Sequence, residues 1–190
     1  MRGYWVWAPE DRRALDTRLA ELGISENPRI IFQLGGGGAG YRDWPVEHFV
    51  ALGCALQEAG FGPLFILGGP DHKEKAARFA AAAKERGLRF HDVVARLALP
   101  LSAALLERTQ CLVSTDTGIM HLGFALKIPT VALLHCQPGA ARVGPLADLD
   151  LHRVIELPRP PGYKTPADAP MSLIQPEQVL PEVMTVLTRS

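Results

Sequence analysis

The chain has no surplus of charge: 20 Lys and Arg face 20 Asp and Glu across 190 residues, a formal net charge of zero. Nothing in that balance would neutralise a phosphate backbone, which excludes nucleic acid as a main partner. Cysteine is scarce. Cys54, Cys111 and Cys136 are odd in number, far apart and set in apolar stretches, a spacing that fits neither a disulfide framework nor a metal site. They read as small buried hydrophobes in a reducing compartment. No stretch approaches the about 20 apolar residues of a membrane span, and the opening "MRGYWVWAPEDRR" has too short an apolar run for a signal peptide. These absences predict a cytoplasmic chain without an integral membrane segment. Its length fits one domain, or one with appendages.

Short β-branched or aromatic runs alternate with helical patterns. The runs are apolar throughout, as in strands of a parallel sheet that are covered on both faces. Strands are predicted at Arg29–Leu34, Pro63–Gly68, Cys111–Thr115 and Thr130–His135, with weaker ones in "RFHDVV" and "HRVIEL". After Pro45, the residues Val46, Phe49, Val50, Gly53 and Leu56 follow the rhythm of one buried helical face. Further helices are predicted in "HKEKAARFAAAAKERG", stopped by Gly87, and in "LPLSAALLERTQ", "TGIMHLGFALK" and "PEQVLPEVMTVLTR". The alternation implies right-handed crossovers and an α/β, Rossmann-like doubly wound parallel sheet, with ligands beyond the carboxyl ends of its strands. Residues 1–27 stand outside this rhythm as an arm with an amphipathic helix, and 28–190 form the domain. "PRPPGYKTPADAP", with five prolines, is a loop.

Three strand-to-helix junctions carry candidate chemistry. In "LGGGGAGYRDWP" the glycines, Gly37 and Gly38 among them, let backbone N–H groups approach an anion. The formal G-x-G-x-x-G match is weak, because Tyr41–Trp44 intervene before the helix, and no Lys-Ser/Thr completes a P-loop. Arg42 is either a diphosphate clamp or a solvated loop arginine. In "LGGPDHKEKA", Asp71 either meets a ribose diol or, with Glu74, caps the next helix. In "STDTGIMHLGF", Asp116 and Thr117 end an apolar strand and Gly118 opens a helix, so N–H groups point out of the sheet edge. Ile119, Leu122 and Leu126 form one stripe of that helix, with His121 and Thr117 almost opposite. Met120 and Phe124 make the far side apolar too, which predicts that something other than water covers it.

"DTGIMHLGFALKIPTVALL", preceded by "YRDWP", "LGGPD" and "ALLERTQCLVS" and followed by "VGPL", resembles the C-terminal half of the glycosyltransferase family 9 proteins, the ADP-heptose:lipopolysaccharide heptosyltransferases of the GT-B fold. The resemblance spans about Pro28 to Ser190. It implies that residues 28–190 bind a nucleotide-sugar donor, most simply an ADP-sugar, as substrate, with no cofactor. Asp116, Thr117, Gly118 and His121 fall where the family holds the diphosphate and sugar. Arg42 stands where the family has Lys before Trp-Pro, and Asp71 where an acid meets the ribose. Arg in place of Lys changes reach, and Phe124 occupies a position normally held by Ala; both leave the donor sugar open.

A metal-free transferase must stabilise a departing nucleotide diphosphate with fixed positive groups, here the helix N-terminus at Thr117 and Gly118 together with Arg42. Asp116 is better suited to accept hydrogen bonds from sugar hydroxyls. No metal cluster is visible in the sequence. In the family the base that deprotonates the acceptor comes from an N-terminal domain, so no catalytic base is expected here. The expected partners are therefore a nucleotide-sugar and an acceptor-binding N-terminal domain, part of a longer chain or a separate one. Family members act on lipid-linked acceptors such as lipopolysaccharide at the inner face of the cytoplasmic membrane. A non-catalytic nucleotide-binding or protein-interaction module is the alternative.

Overall fold

In the computed structural model, described over residues 9–35 and 40–189, six strands form one sheet. They are β1 (Ile30–Gln33), β2 (Leu64–Leu67), β3 (His91–Asp92), β4 (Cys111–Thr115), β5 (Thr130–Leu134) and β6 (Arg153–Glu156). All pairings are parallel, in the order β3-β2-β1-β4-β5-β6. The direction of winding reverses between β1 and β4, and such a reversal opens a crevice at the carboxyl ends of those two strands. The weak strand in "RFHDVV" shrinks to two residues. The Asp92 carboxylate accepts a hydrogen bond from Val94 N (2.9 Å) and Ala95 takes a left-handed conformation, so the chain turns away from the sheet.

Alternate strand residues serve opposite faces. Ile30 and Phe32 pack with α2 (Val46–Glu58), α3 (Lys73–Glu85) and α7 (Pro176–Leu187), while Ile31 and Leu112 pack on the other side with α1 (Pro9–Glu21) and α4 (Leu99–Leu106). The predicted α2 stripe of Val46, Phe49, Val50, Gly53 and Leu56 is buried throughout. Leu15 and Leu19 of α1 are buried as well, and Arg12–Glu107 (3.0 Å) and Arg108–Asp16 (2.5 Å) fasten that helix to the end of α4. The helix of the N-terminal arm is thus a covering layer of the sheet. Burial pushes the Cys111 thiol up to about 12, which makes it an inert packing group of β4.

α5 (Gly118–Ala125) corrects one expectation. Met120 is fully buried against Ala132 and Leu134 of β5, so it lies on the sheet-facing side and not on an outer one. The reason is Gly123. A Cβ there would stand 2.8 Å from Leu112 Cδ2 and 3.1 Å from Thr130 Oγ1, so its absence lets the helix settle on β4 and β5 with Met120 beside it. Phe124 packs edge-on against His152, with ring centroids 4.8 Å apart. The apolar side of α5 opposite its leucines is covered by the chain's own residues.

Candidate functional site

The crevice is built from both sides. On the β1 side, Trp44 is buried, donates its indole N–H to Ile174 O (2.8 Å) and packs edge-on against Phe49. Asp43 pairs with Lys75 of α3 (2.5 Å). These two anchors and Pro45 at the head of α2 hold the 3-10 turn Gly40–Arg42 at the carboxyl edge. On the β4 side, Thr115 Oγ1 donates to Gly35 O, and Gly35 N donates to Gln33 Oε1 (3.1 Å), which ties the ends of β1 and β4 together. A Cβ on Gly35 would collide with His72 Nε2, so this first glycine of the loop is required by packing.

Arg42 Nη1 donates to Asp116 Oδ2, and His121 Nε2 lies 3.4 Å from Asp116 Oδ1. Arg42 from the loop after β1 and His121 from α5 thus converge on one nearly buried carboxylate, that of Asp116 at the end of β4. Arg42 is not a free loop cation, because its charge is answered by Asp116; its Nε, however, is buried without a hydrogen-bond partner. His121 is half-exposed at the open side of the cluster. The Thr117 hydroxyl accepts from Met120 N (3.2 Å), so it serves as the N-cap of α5. Gly118 begins the helix, and no described residue lies within 4 Å of a Cβ added there.

The glycines sharpen this. Among the described residues, Gly40 and Gly118 alone have neither a left-handed backbone nor a neighbour within 4 Å of an added Cβ. Among the described residues nothing gives glycine a steric use at these two positions, and they stand on either side of the Arg42–Asp116 pair.

Asp71 is not part of this cluster. It sits in a 3-10 turn (Pro70–His72) after β2, mostly exposed, with Oδ1 3.2 Å from His72 Nδ1. It does not cap α3 either, since that helix starts from His72 with no side-chain cap. Gly37 and Gly38 lie outside the described residues. Among the described residues, no group of three or more His, Cys, Asp or Glu could hold a metal ion. No described helix is long and apolar enough to cross a membrane.

Around Arg42 the structure also gathers residues that the sequence did not single out. Tyr41, Arg42, Gln137, Pro138, Arg142, Arg159, Tyr163 and Lys164 line an open cleft of about 750 Å³ beside the crevice. Arg142 lies on α6 (Ala140–Val143), a one-turn helix that follows β5, and Arg159, Tyr163 and Lys164 belong to the proline-rich loop after β6. No periodicity marks such residues; the only signal was the number of basic side chains around that loop.

A family model for glycosyltransferase family 9 (heptosyltransferase) matches residues 6–159. The lipopolysaccharide heptosyltransferase 1 of Pseudomonas aeruginosa is 33% identical over 92 residues, 48% of this chain and 24% of that relative. The solved structure of the Escherichia coli ADP-heptose lipopolysaccharide heptosyltransferase II is similar with a TM-score of 0.76 at 22% identity, covering 96% of this chain and 52% of the other. A family 9 glycosyltransferase from Veillonella parvula gives 0.78 at 22% identity, covering 97% and 53%. The chain therefore spans about half the length of these solved relatives, and the neighbours carry the GT-B fold onto its parallel sheet. With the sheet order, the DTG-x-x-H block at the β4–α5 junction and the family match over most of its length, the chain belongs to glycosyltransferase family 9, the heptosyltransferase family.

Proposed function

We propose that this chain is the donor-binding half of a metal-independent GT-B glycosyltransferase that uses an ADP-sugar and needs an acceptor-binding N-terminal domain for transfer. The observation that carries the reading is the pair of sterically idle glycines, Gly40 and Gly118, flanking the Arg42–Asp116 pair where the sheet reverses direction. Space is kept there at a conformational cost, and a bound ligand is what would use it.

In this reading the diphosphate lies over the first turn of α5, where unpaired backbone N–H groups and the helix dipole favour negative charge. Asp116 takes one Nη of Arg42 and so fixes the guanidinium plane, and the guanidinium's remaining Nη donors are left for a phosphate oxygen. As the bond to the sugar breaks, charge grows on the departing diphosphate, and these prearranged donors stabilise it more than they stabilise the intact donor. His121, half-exposed beside Asp116, faces the sugar or its phosphate as a hydrogen-bonding group. Asp71, at the end of β2, is the acid for the ribose. The proton of the acceptor hydroxyl goes to a base outside this chain. The name of the Escherichia coli relative, an ADP-heptose transferase, supports ADP as the nucleotide and a heptose or a related sugar as the group transferred.

Isothermal titration with ADP tests this. Micromolar binding to the chain is expected, with a loss of at least tenfold in Gly118→Ala, whose added methyl takes the ligand's space and touches no described residue. No binding at millimolar ADP, or unchanged binding in Gly118→Ala and His121→Ala, would overturn the proposal. Sugar transfer by this chain alone would overturn the missing-base part.

A further inference from the structure

The carboxylate of the cluster holds His121 only loosely. Asp116 Oδ1 lies 3.4 Å from His121 Nε2, longer than a charge-assisted hydrogen bond, and the other carboxylate oxygen is taken by Arg42. The imidazole is half-exposed, and a half-exposed ring on a helix changes rotamer within nanoseconds unless packing holds it. A ring that wanders has to be ordered anew each time a ligand arrives, at an entropic cost.

Phe124 supplies a second contact. It stands three residues further along α5, the spacing that puts two side chains on one helical face. The two rings meet edge to face, with centroids 6.1 Å apart and planes at 79°, which is the geometry of a favourable aromatic pair. Phe124 is itself held from behind. His152, the residue just before β6, crosses it at 66° with centroids 4.8 Å apart, and Ala140 and Val143 of α6 share its apolar cluster. His152 is buried, so this rear wall is part of the packed interior and does not move as a surface side chain would.

The row His121–Phe124–His152 therefore runs from the carboxylate at the carboxyl edge of the sheet to a buried ring at the amino end of β6. A leucine would fill the apolar gap between α5 and α6. Phe124 instead meets an imidazole on each side, and only a ring offers an edge-to-face surface to both.

We propose that Phe124 is a positioning residue of the donor site: its ring, backed by His152, confines the His121 imidazole to the rotamer that faces Asp116 and the bound donor. This rests on the donor reading above, in that His121 is the group being positioned. Phe124 acts through His121, and its contribution is to remove the ordering cost before the ligand arrives.

The test uses the whole chain. Three-bond couplings about the His121 Cα–Cβ bond, measured by NMR with no ligand, read its χ1 populations, and calorimetric titration with ADP reads the consequence for binding. One dominant His121 rotamer is expected in the parent, and averaging over two or more in Phe124→Ala. Phe124→Leu, which keeps most of the apolar volume and carries the test should the alanine variant not fold, is expected to average in the same way. Each should raise the ADP dissociation constant about two- to tenfold, the cost of ordering one free side chain. In a His121→Ala background, Phe124→Leu should change that constant by less than about twofold, because the route through the imidazole is gone. Averaging already in the parent, a single rotamer retained in Phe124→Leu, an ADP dissociation constant that the leucine leaves unchanged, or an equal loss with and without His121 would each overturn the proposal and make Phe124 a packing residue only. Should the parent chain fail to bind ADP, the donor reading falls, and the rotamer measurement by itself decides whether Phe124 holds His121.

Discussion

The two ends of α5 are built from similar residue types and serve opposite purposes. At its N-terminal end a glycine, Gly118, has no described residue within 4 Å of an added Cβ, and a histidine, His121, is half-exposed beside the Asp116 carboxylate. At its C-terminal end a glycine, Gly123, is pressed onto Leu112 and Thr130, and a histidine, His152, is buried edge-on against Phe124 with neither ring nitrogen hydrogen-bonded. One end reserves room and polar contacts at the carboxyl edge of the sheet, and the other fills room at the amino edge. Residue type alone does not tell a ligand site from a packing site; what each side chain would meet does.

That contrast can be broken in four places. The largest effect is expected from Asp116→Ala, which leaves the partly buried Arg42 guanidinium without its counter-charge and should cost about 3 kcal/mol in chemical denaturation. A change below about 0.5 kcal/mol would mean that the pair is an exposed, dispensable contact. Gly123→Ala comes next. Its methyl presses on the end of Leu112 and on Thr130 Oγ1, an overpacking expected to cost about 1–3 kcal/mol, read as a fall in the denaturation midpoint.

The third place is His152. Burial holds its imidazole below the ordinary 6.5, and the attraction of Asp148 and Asp150 only partly opposes this. Between the lowered folded value and 6.5 the unfolded chain binds the extra proton, so stability is complete above about 6.5 and falls as the pH drops through that window. Asp168 and Glu47, both held below their ordinary 3.8 and 4.5 by hydrogen bonds, act only at lower pH. Denaturation midpoints from pH 7.5 to 5 should therefore decline, and His152→Phe should flatten the decline; an equal slope in the variant would assign it to another histidine. The smallest effect is expected from Gly118→Ala, within about 0.5 kcal/mol of the parent stability, because its methyl meets no described residue. A loss as large as that of Gly123→Ala would erase the distinction between the two ends.

Much of the fold was legible in the sequence because it is set locally. The four apolar runs are strands within a residue or two of their predicted limits, and the α2 stripe is buried as its period requires. The DTG-x-x-H block was legible for the same reason: Asp116, Thr117, Gly118 and His121 are neighbours along one strand end and one helix. The facing of α5 was read less well. A helix apolar nearly all round leaves its buried side undetermined by periodicity, and the small size of Gly123 decided it.

The sequence by itself determined the order of strands and helices, the carboxyl-edge placement of three loops and the residues at the head of α5, since each depends on propensity and period within a short window. Only the tertiary structure decided that Arg42 spends one donor on Asp116, that Asp71 stands apart from that pair, and that α1 covers the sheet. The same holds for the gathering of Arg42, Arg142, Arg159 and Lys164 from three loops into one cleft. Those contacts join residues far apart in the chain, and the reversal of winding between β1 and β4 is what brings them together.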